Sequence, residues 1–515
     1  MTDTALLKKN LATLKERFPG LSKKIENAKP SCDYADFQTS KTGQLIPCFK
    51  TGNLLHSKYN PEREAERLFS GNENFVLFCG LGSGIHINYF LNTFKNKPCA
   101  LVETDFSALK HLLTKIDFTG IFLNSNFTVL PPFEDAEFEN ELIQNYIPVL
   151  HGNFEVKFLL PWENYYKDKL SGFQQKIKES LKIIQSDTAT QARFGKIWMR
   201  NILFNLKTAS NILPQMPKAD TNKTAYILGA GPCLENAIKT IKEKRKEFVL
   251  FAADTAFSVL NAYGITADFF ISIDPQIFSY LHCFKPASNL KFGTEADINP
   301  TIGIFDLCSN PLTVKTFLQN GNKILFTAGA HPFAQYASNF SPFPYCNTST
   351  GTVAGAAKYA AIAMGFKNFR FAGLDFAYTN GKAYARETYL SKLFFKEALK
   401  TSPGETKFCA LMFRGNVEKK TASGKITYTT ELLNRYAELF NINENVSLWQ
   451  KKEFRQFPYY DFIFKLNSDA KKNDFNLKTA ILPYLTYKSK ILYNKNRNFL
   501  NLELALSEIL EYTVE

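Results

Sequence analysis

Hydrophobic positions along this chain change period several times, and each change marks an element. Leu7, Leu11, Leu14 and Phe18 recur at helical spacing and predict an amphipathic helix near the start. A polar stretch with Lys41-Thr42-Gly43 and Asn60-Pro61 follows. Unbroken apolar runs come next, at Phe75-Val76-Leu77-Phe78 and Cys99-Ala100-Leu101-Val102. Further runs lie within 224–276, at Lys323-Ile324-Leu325-Phe326-Thr327 and at Phe369-Arg370-Phe371-Ala372. Short apolar runs bounded by turn signals read as strands of a parallel sheet, buried on both faces. Helical patterns separate them, so the fold class is α/β. Residues 166–212 read as a long helical linker, 405–430 as a hairpin or flap around Gly415-Asn416 and Gly424, and the Lys- and Leu-rich end from about 446 as helical. The predicted organisation is 1–65 helical or irregular, 66–165 and 222–445 α/β, 166–221 linker and 446–515 helical.

Length and composition narrow the class. A chain of 515 residues exceeds one ordinary core and predicts two to four domains. Nine dispersed cysteines without a C-x-x-C pair argue for reduced thiols in the cytosol and against a structural zinc site. The first residues lack the apolar core of a signal peptide, and no apolar run is long enough to span a bilayer. Together these predict a cytoplasmic protein. The net charge of +14 is spread rather than gathered into an arm, which predicts no nucleic-acid partner.

The chemistry gathers where strands end. Phe78 runs into Cys79-Gly80-Leu81-Gly82-Ser83-Gly84, and Glu103 follows the next strand about twenty residues after Gly82. That is a Rossmann-like or methyltransferase-like layout. In the second unit Gly229-Ala230-Gly231-Pro232-Cys233 joins a strand to a helix. Glycine lets a ligand approach the backbone, and a helix start offers free N–H groups to an anion. Asp254, with Thr255 beside it, and Asp274 end the next two strands; such carboxylates bind ribose hydroxyls, a base amino group or Mg²⁺. Ser349-Thr350-Gly351 precedes a small-residue helix that stops at Gly365. Asp375 ends a strand and opens a loop carrying Tyr378 and Tyr384, whose phenols suit a departing phosphate. Without a third glycine in the turn or a G-x-x-x-x-G-K-[ST] loop, NAD and P-loop ATP chemistry are disfavoured. The six histidines all precede the tyrosine loop and show no metal-ligand spacing.

Residues 224–276 and 348–388, with Phe194-Gly195, Trp198, Asn201 and Asn205, resemble the motility accessory factor family of flagellin glycosyltransferases, also described as 6-hydroxymethylpterin pyrophosphokinase-like. The central region is in turn similar to bacterial sialyltransferases that use CMP-sialic acid. The matching segments are Gly229–Leu234, the tips at Asp254 and Asp274, Ser349-Thr350-Gly351, and Gly373-Leu374-Asp375-Phe376 with Tyr378 and Tyr384. Asparagines of those enzymes are replaced here at Ala230, Asp254 and Asp274, and their general-base histidine falls near Lys425, which leaves the base unassigned. The resemblance implies two Rossmann-like units, the central one sialyltransferase-like. It implies transfer of a pseudaminic-, legionaminic- or sialic-acid-type sugar from CMP to Ser or Thr of flagellin. Catalytic roles would fall to Tyr378, Tyr384 and Asp375. Nucleotide contacts would fall to the 229–233 turn, Asp254, Thr255, Asp274 and Ser349-Thr350-Gly351. Mg²⁺ and a homo-oligomer are both allowed. The alternatives are a noncatalytic flagellin-binding factor, or a SAM- or pterin-linked enzyme.

Overall fold

A computed structural model describes residues 3–29, 33–214, 216–283, 301–379, 381–422, 425–442, 446–449, 454–491 and 501–511. The chain forms two compact units, Met1–Ala192 and Arg193–Glu515, and the division falls within the single helix Lys167–Ala209.

The first unit is built on a four-stranded parallel sheet. Named by first residue, its strands lie in the order 127, 99, 75, 154. Every residue of Phe75–Cys79 and Cys99–Val102 is buried, as unbroken apolar runs require of strands covered on both faces. The chain winds outward from the 75–79 strand and then returns to its other side at Phe154–Phe158. The N-terminal helix Asp3–Arg17 is stitched to this unit by one buried side chain. Asn10 donates to Leu113 O at 2.9 Å and Ile116 O at 2.7 Å, and accepts from Phe118 N at 2.9 Å.

The second unit carries a six-stranded parallel sheet in the order 323, 302, 269, 248, 224, 369. Five strands are laid down in one direction, and Phe369–Ala372 then joins the far side of Thr224–Leu228. The direction reverses between those two strands, the place where open α/β sheets bind ligands. The crossover helix Val353–Ala363 packs on the 224, 248 and 269 strands, and its run of alanine and glycine lets it lie close. Both units are the expected Rossmann-like kind, and the described chain beyond Tyr459 is helical.

Some local expectations differ. The first part of the 405–430 flap is a helix, Gly404–Met412; the hairpin pairs Glu418–Ala422 with Lys425–Thr429, and Gly424 lies outside the described residues. The 425–429 strand also pairs with Tyr378-Thr379, so the tyrosine loop and the hairpin form one small sheet. Pro232 lies just before Cys233, the N-cap of helix Leu234–Glu243.

Candidate functional site

At the switch point of the second sheet two glycines meet back to back. Gly229 N donates to Ala372 O at 2.9 Å, and Gly231 N donates to Gly373 O at 2.8 Å. A Cβ on Gly229 would lie 2.4 Å from Gly373 O, and one on Gly373 would lie 2.0 Å from Gly229 O. The 229–233 turn was expected to offer free N–H groups to a phosphate. Instead its donors are largely taken. Leu234 N, Glu235 N and Asn236 N bond carbonyls of Gly231, Pro232 and Cys233. Cys233 N points at both carboxylate oxygens of Asp375, at 3.2 Å each. A negative side chain therefore occupies the positive end of helix Leu234–Glu243. Asp375 holds the turn in shape; its contacts here are those of a positioning residue. Burial, followed by Asp375, raises the Cys233 thiol to about 11.

The tyrosine loop is anchored onto this turn. Ala385 N donates to Ala230 O at 2.8 Å, Lys382 Nζ reaches Glu235 at 2.9 Å, and Arg386 N donates to Glu235 at 2.8 Å. The loop is bracketed by two non-glycine residues with left-handed backbone, Phe376 at φ 45° and Glu387 at φ 69°. Each such conformation costs on the order of 1 kcal/mol and persists only where neighbours enforce it, which is common at functional loops.

The strand tips converge on the same edge. Asp254 is buried; it accepts from Thr255 N at 2.7 Å and from Ser272 Oγ at 3.0 Å. Asp274 accepts from Gln276 N at 2.9 Å, and burial, offset in part by that bond, moves its carboxyl above the usual range. Tyr384 is shifted upward by burial first and then by Tyr378, with Arg414, Asp254 and Tyr436 also acting on it. Tyr436 covers Gly351, whose Cβ would lie 2.7 Å from its ring. Tyr378, Tyr384, Asp254, Asp274 and the Gly351 turn thus form one neighbourhood. Ser349 and Thr350 do not cap the following helix. That cap is Thr352, which accepts from Gly355 N at 3.1 Å, while Thr350 fills the space above Gly355.

Two features escaped the sequence reading. Asp306 ends the fourth strand, fully buried, with one carboxylate oxygen unpartnered, and burial raises it to about 6. His282 lies on the turn after Asp274, its ring 4.7 Å from that of Tyr389 in an edge-on contact. The signal for Asp306 was available, since Ile302–Asp306 is one more apolar run ending in acid. His282 carried none, because its partners come from distant segments. Among the described residues no group of three or more His, Cys, Asp and Glu is arranged to hold a metal. Asp254 accepts from Ser272 and Thr255, and Asp274 accepts from Gln276 through one oxygen.

The asparagines of the long helix hold the loops of this edge. Asn201 donates to Pro275 O at 3.0 Å and Cys308 O at 2.9 Å; Asn205 donates to Leu307 O at 2.9 Å and Ser309 O at 2.8 Å. Trp198 packs edge-on against His331, with ring centroids 5.4 Å apart. Gly195 has a packing reason: a Cβ there would lie 1.9 Å from Pro483 O.

The glycine turn of the first unit is filled by the protein itself. Trp162 occupies the place of a Cβ on Gly80 at 2.8 Å, and His56 that of one on Gly82 at 2.4 Å. Glu103 is wholly buried and accepts from Leu81 N at 2.6 Å and Trp162 Nε1 at 3.0 Å. The acid of that Rossmann-like layout is thus bonded to an indole. Burial raises it to about 7.

Fold and site together define a doubly wound α/β protein whose candidate chemistry sits at the carboxyl edge of its second sheet. Residues 196–381 match the family described as 6-hydroxymethylpterin diphosphokinase MptE-like. Two uncharacterized proteins of Treponema pallidum (strain Nichols) are similar. One is 43% identical over 211 residues, covering 41% of this chain and 75% of the relative. The other is 40% identical over 170 residues, covering 33% and 81%. The structure of the MAf glycosyltransferase from Magnetospirillum magneticum AMB-1 shares the fold, with a TM-score of 0.56 and 14% identity over 99% of this chain and 90% of that one. The chain thus carries an MptE-like segment at residues 196–381 and shares the overall fold of that MAf glycosyltransferase. No described helix is long and apolar enough to cross a membrane.

Proposed function

We propose that this protein is a glycosyltransferase that moves a nonulosonic acid of the pseudaminic, legionaminic or sialic type from its CMP donor to Ser or Thr hydroxyls of flagellin. The observation that carries the reading is the convergence of Tyr378 and Tyr384 with the acidic strand tips at the switch-point edge, inside a strained and anchored loop. The MptE-like match of residues 196–381 and the fold shared with a MAf glycosyltransferase support it. A sialyltransferase-like use of the central sheet and a cytoplasmic location belong to the same proposal.

The chemistry is a displacement at the anomeric carbon. The acceptor oxygen forms its bond as the bond to the phosphate oxygen breaks, and CMP leaves with that electron pair. Phenol O–H groups of Tyr378 and Tyr384 donate to the oxygen where charge grows, which favours the transition state over the ground state. Exposed Arg414, beside Tyr384, suits the anionic donor. The glycines at 229, 231 and 373 let the turn pack against Gly373 and Asp375, so this turn shapes the edge of the crevice rather than offering free N–H groups.

The experiment is CMP release from a CMP-nonulosonate with purified flagellin, with the intact mass of flagellin as second readout. Release together with a mass increase of one sugar is the expected result. No release with any such donor, and unchanged flagellin mass in a strain lacking this protein, sinks the proposal. The family description favours one other reading, diphosphate transfer to a pterin; AMP formation from ATP with a hydroxymethylpterin would support it instead.

A further inference from the structure

We propose that His282 is the proton acceptor for the incoming hydroxyl, and that Asp274 steadies the imidazolium it becomes. The inference rests on the glycosyl-transfer reading and supplies the base that reading lacks.

Few polar groups at this edge are free. A base needs an unused lone pair aimed at the site. Asp254 is spent on Ser272 Oγ through one oxygen and on Thr255 through the other. Asp375 is spent on Cys233 N. Asp274 accepts from Gln276 N through one oxygen and acts on His282, and Asp306, though one of its oxygens is unpartnered, is buried against Gly329. His282 differs. The residue is only 5% exposed, yet its Nδ1 is buried without a hydrogen-bond partner. Leaving a buried nitrogen unsatisfied is costly, so a fold that keeps one at a ligand edge is informative.

Its surroundings suit the role. The turn Ile277–His282 leaves the sheet just after Asp274 and packs on helices Asp254–Ala262 and Pro311–Gln319. Asp274 and His282 act on each other electrostatically. Tyr389 meets the imidazole edge-on, and Tyr384, Asp274 and Asp254 act on Tyr389 in turn. The titratable groups around the imidazole are therefore Asp274, Asp254, Cys283, Tyr389 and, beyond it, Tyr384. Among the described residues these groups include no cation. Asp274 is the carboxylate that acts on the ring directly.

The step balances. The acceptor O–H proton passes to the imidazole as the oxygen bonds the anomeric carbon. The leaving CMP takes the electron pair of the broken bond, and the imidazolium later returns its proton to water.

The test uses the full chain with CMP-nonulosonate and flagellin, comparing wild type, His282→Gln, His282→Asn and Asp274→Asn. The proposal expects kcat for transfer to fall about 10²–10⁴-fold in both His282 variants. It expects the Kd for CMP to stay within about threefold, which reports an intact fold. The acid limb of the wild-type pH–rate profile should vanish in His282→Gln, move to lower pH in Asp274→Asn, and transfer by His282→Asn should recover in part with added imidazole. A His282→Gln enzyme that keeps the acid limb, or loses less than about fivefold in kcat, overturns the assignment while leaving glycosyl transfer standing. A wild type that transfers nothing overturns both.

Discussion

Gly373→Ala tests the switch-point geometry most sharply. Two costs add. Gly373 has φ 69°, and an L-residue there costs about 1–2 kcal/mol. Its new Cβ would also stand 2.0 Å from Gly229 O, a backbone atom that no rotamer change can move. Overpacking of that kind costs about 1–3 kcal/mol. The total is about 2–5 kcal/mol. Gly264→Ala isolates the first term, because Gly264 has φ 68° and nothing within 4 Å of its Cβ position. Urea unfolding of both variants followed by circular dichroism gives the comparison. Gly373→Ala should be the less stable by about 1–3 kcal/mol, and it should also weaken CMP binding, because Gly231 N and Asp375 are placed by that contact. Equal losses within about 0.5 kcal/mol, a margin typical of sites without special features, would refute the claim that the two backbones touch.

Four further outcomes are expected. Tyr378→Phe with Tyr384→Phe should lower kcat for transfer by about 10²–10³-fold for each donor that acts in the transition state, with CMP binding nearly unchanged by calorimetry. Asn205→Ala strands the buried carbonyls of Leu307 and Ser309 and should cost about 2–4 kcal/mol in denaturant unfolding. Glu103 is held at about 7, above its unfolded value of about 4.5, so the native state binds the extra proton. Its contribution is therefore fully present below about pH 4.5 and lost as pH rises through about 7. Unfolding of the first unit should become easier across that window, and Glu103→Gln should flatten the slope. Trp162→Ala should destabilise the first unit by about 3–5 kcal/mol in urea melts, and wild-type protein should give no binding heat with S-adenosylmethionine.

What could be read from the sequence was local. Fully buried parallel strands announce themselves as unbroken apolar runs, so Phe75–Cys79, Cys99–Val102 and Phe248–Ala253 are legible in the sequence, whereas Phe369–Ala372, interrupted by Arg370, is an edge strand with only Ala372 buried. The glycine turn at 229–231 and the acids after the strands were legible for the same reason: they interrupt such runs. What each polar group does depends on partners far away in the chain. Asp375 closes the 229–233 turn across 142 residues, and His282 meets Tyr389 from another segment. Gly195 gave no hint of Pro483, and Gly80 and Gly82 read the same whether a cofactor or Trp162 lies against them. Periodicity encodes burial, whereas occupancy of a crevice is a property of the assembled fold.

Trp162 makes that difference concrete. The indole over Gly80 behaves as a ligand tethered to its own receptor, present at the high effective concentration of an intramolecular contact. A free cofactor would have to outcompete it and also replace the bond it gives Glu103. The first unit therefore carries the shape of a binding module permanently in its bound state. Cutting the indole away, as in Trp162→Gly, would turn that fixed state into an adjustable one, with added indole as the effector that restores it.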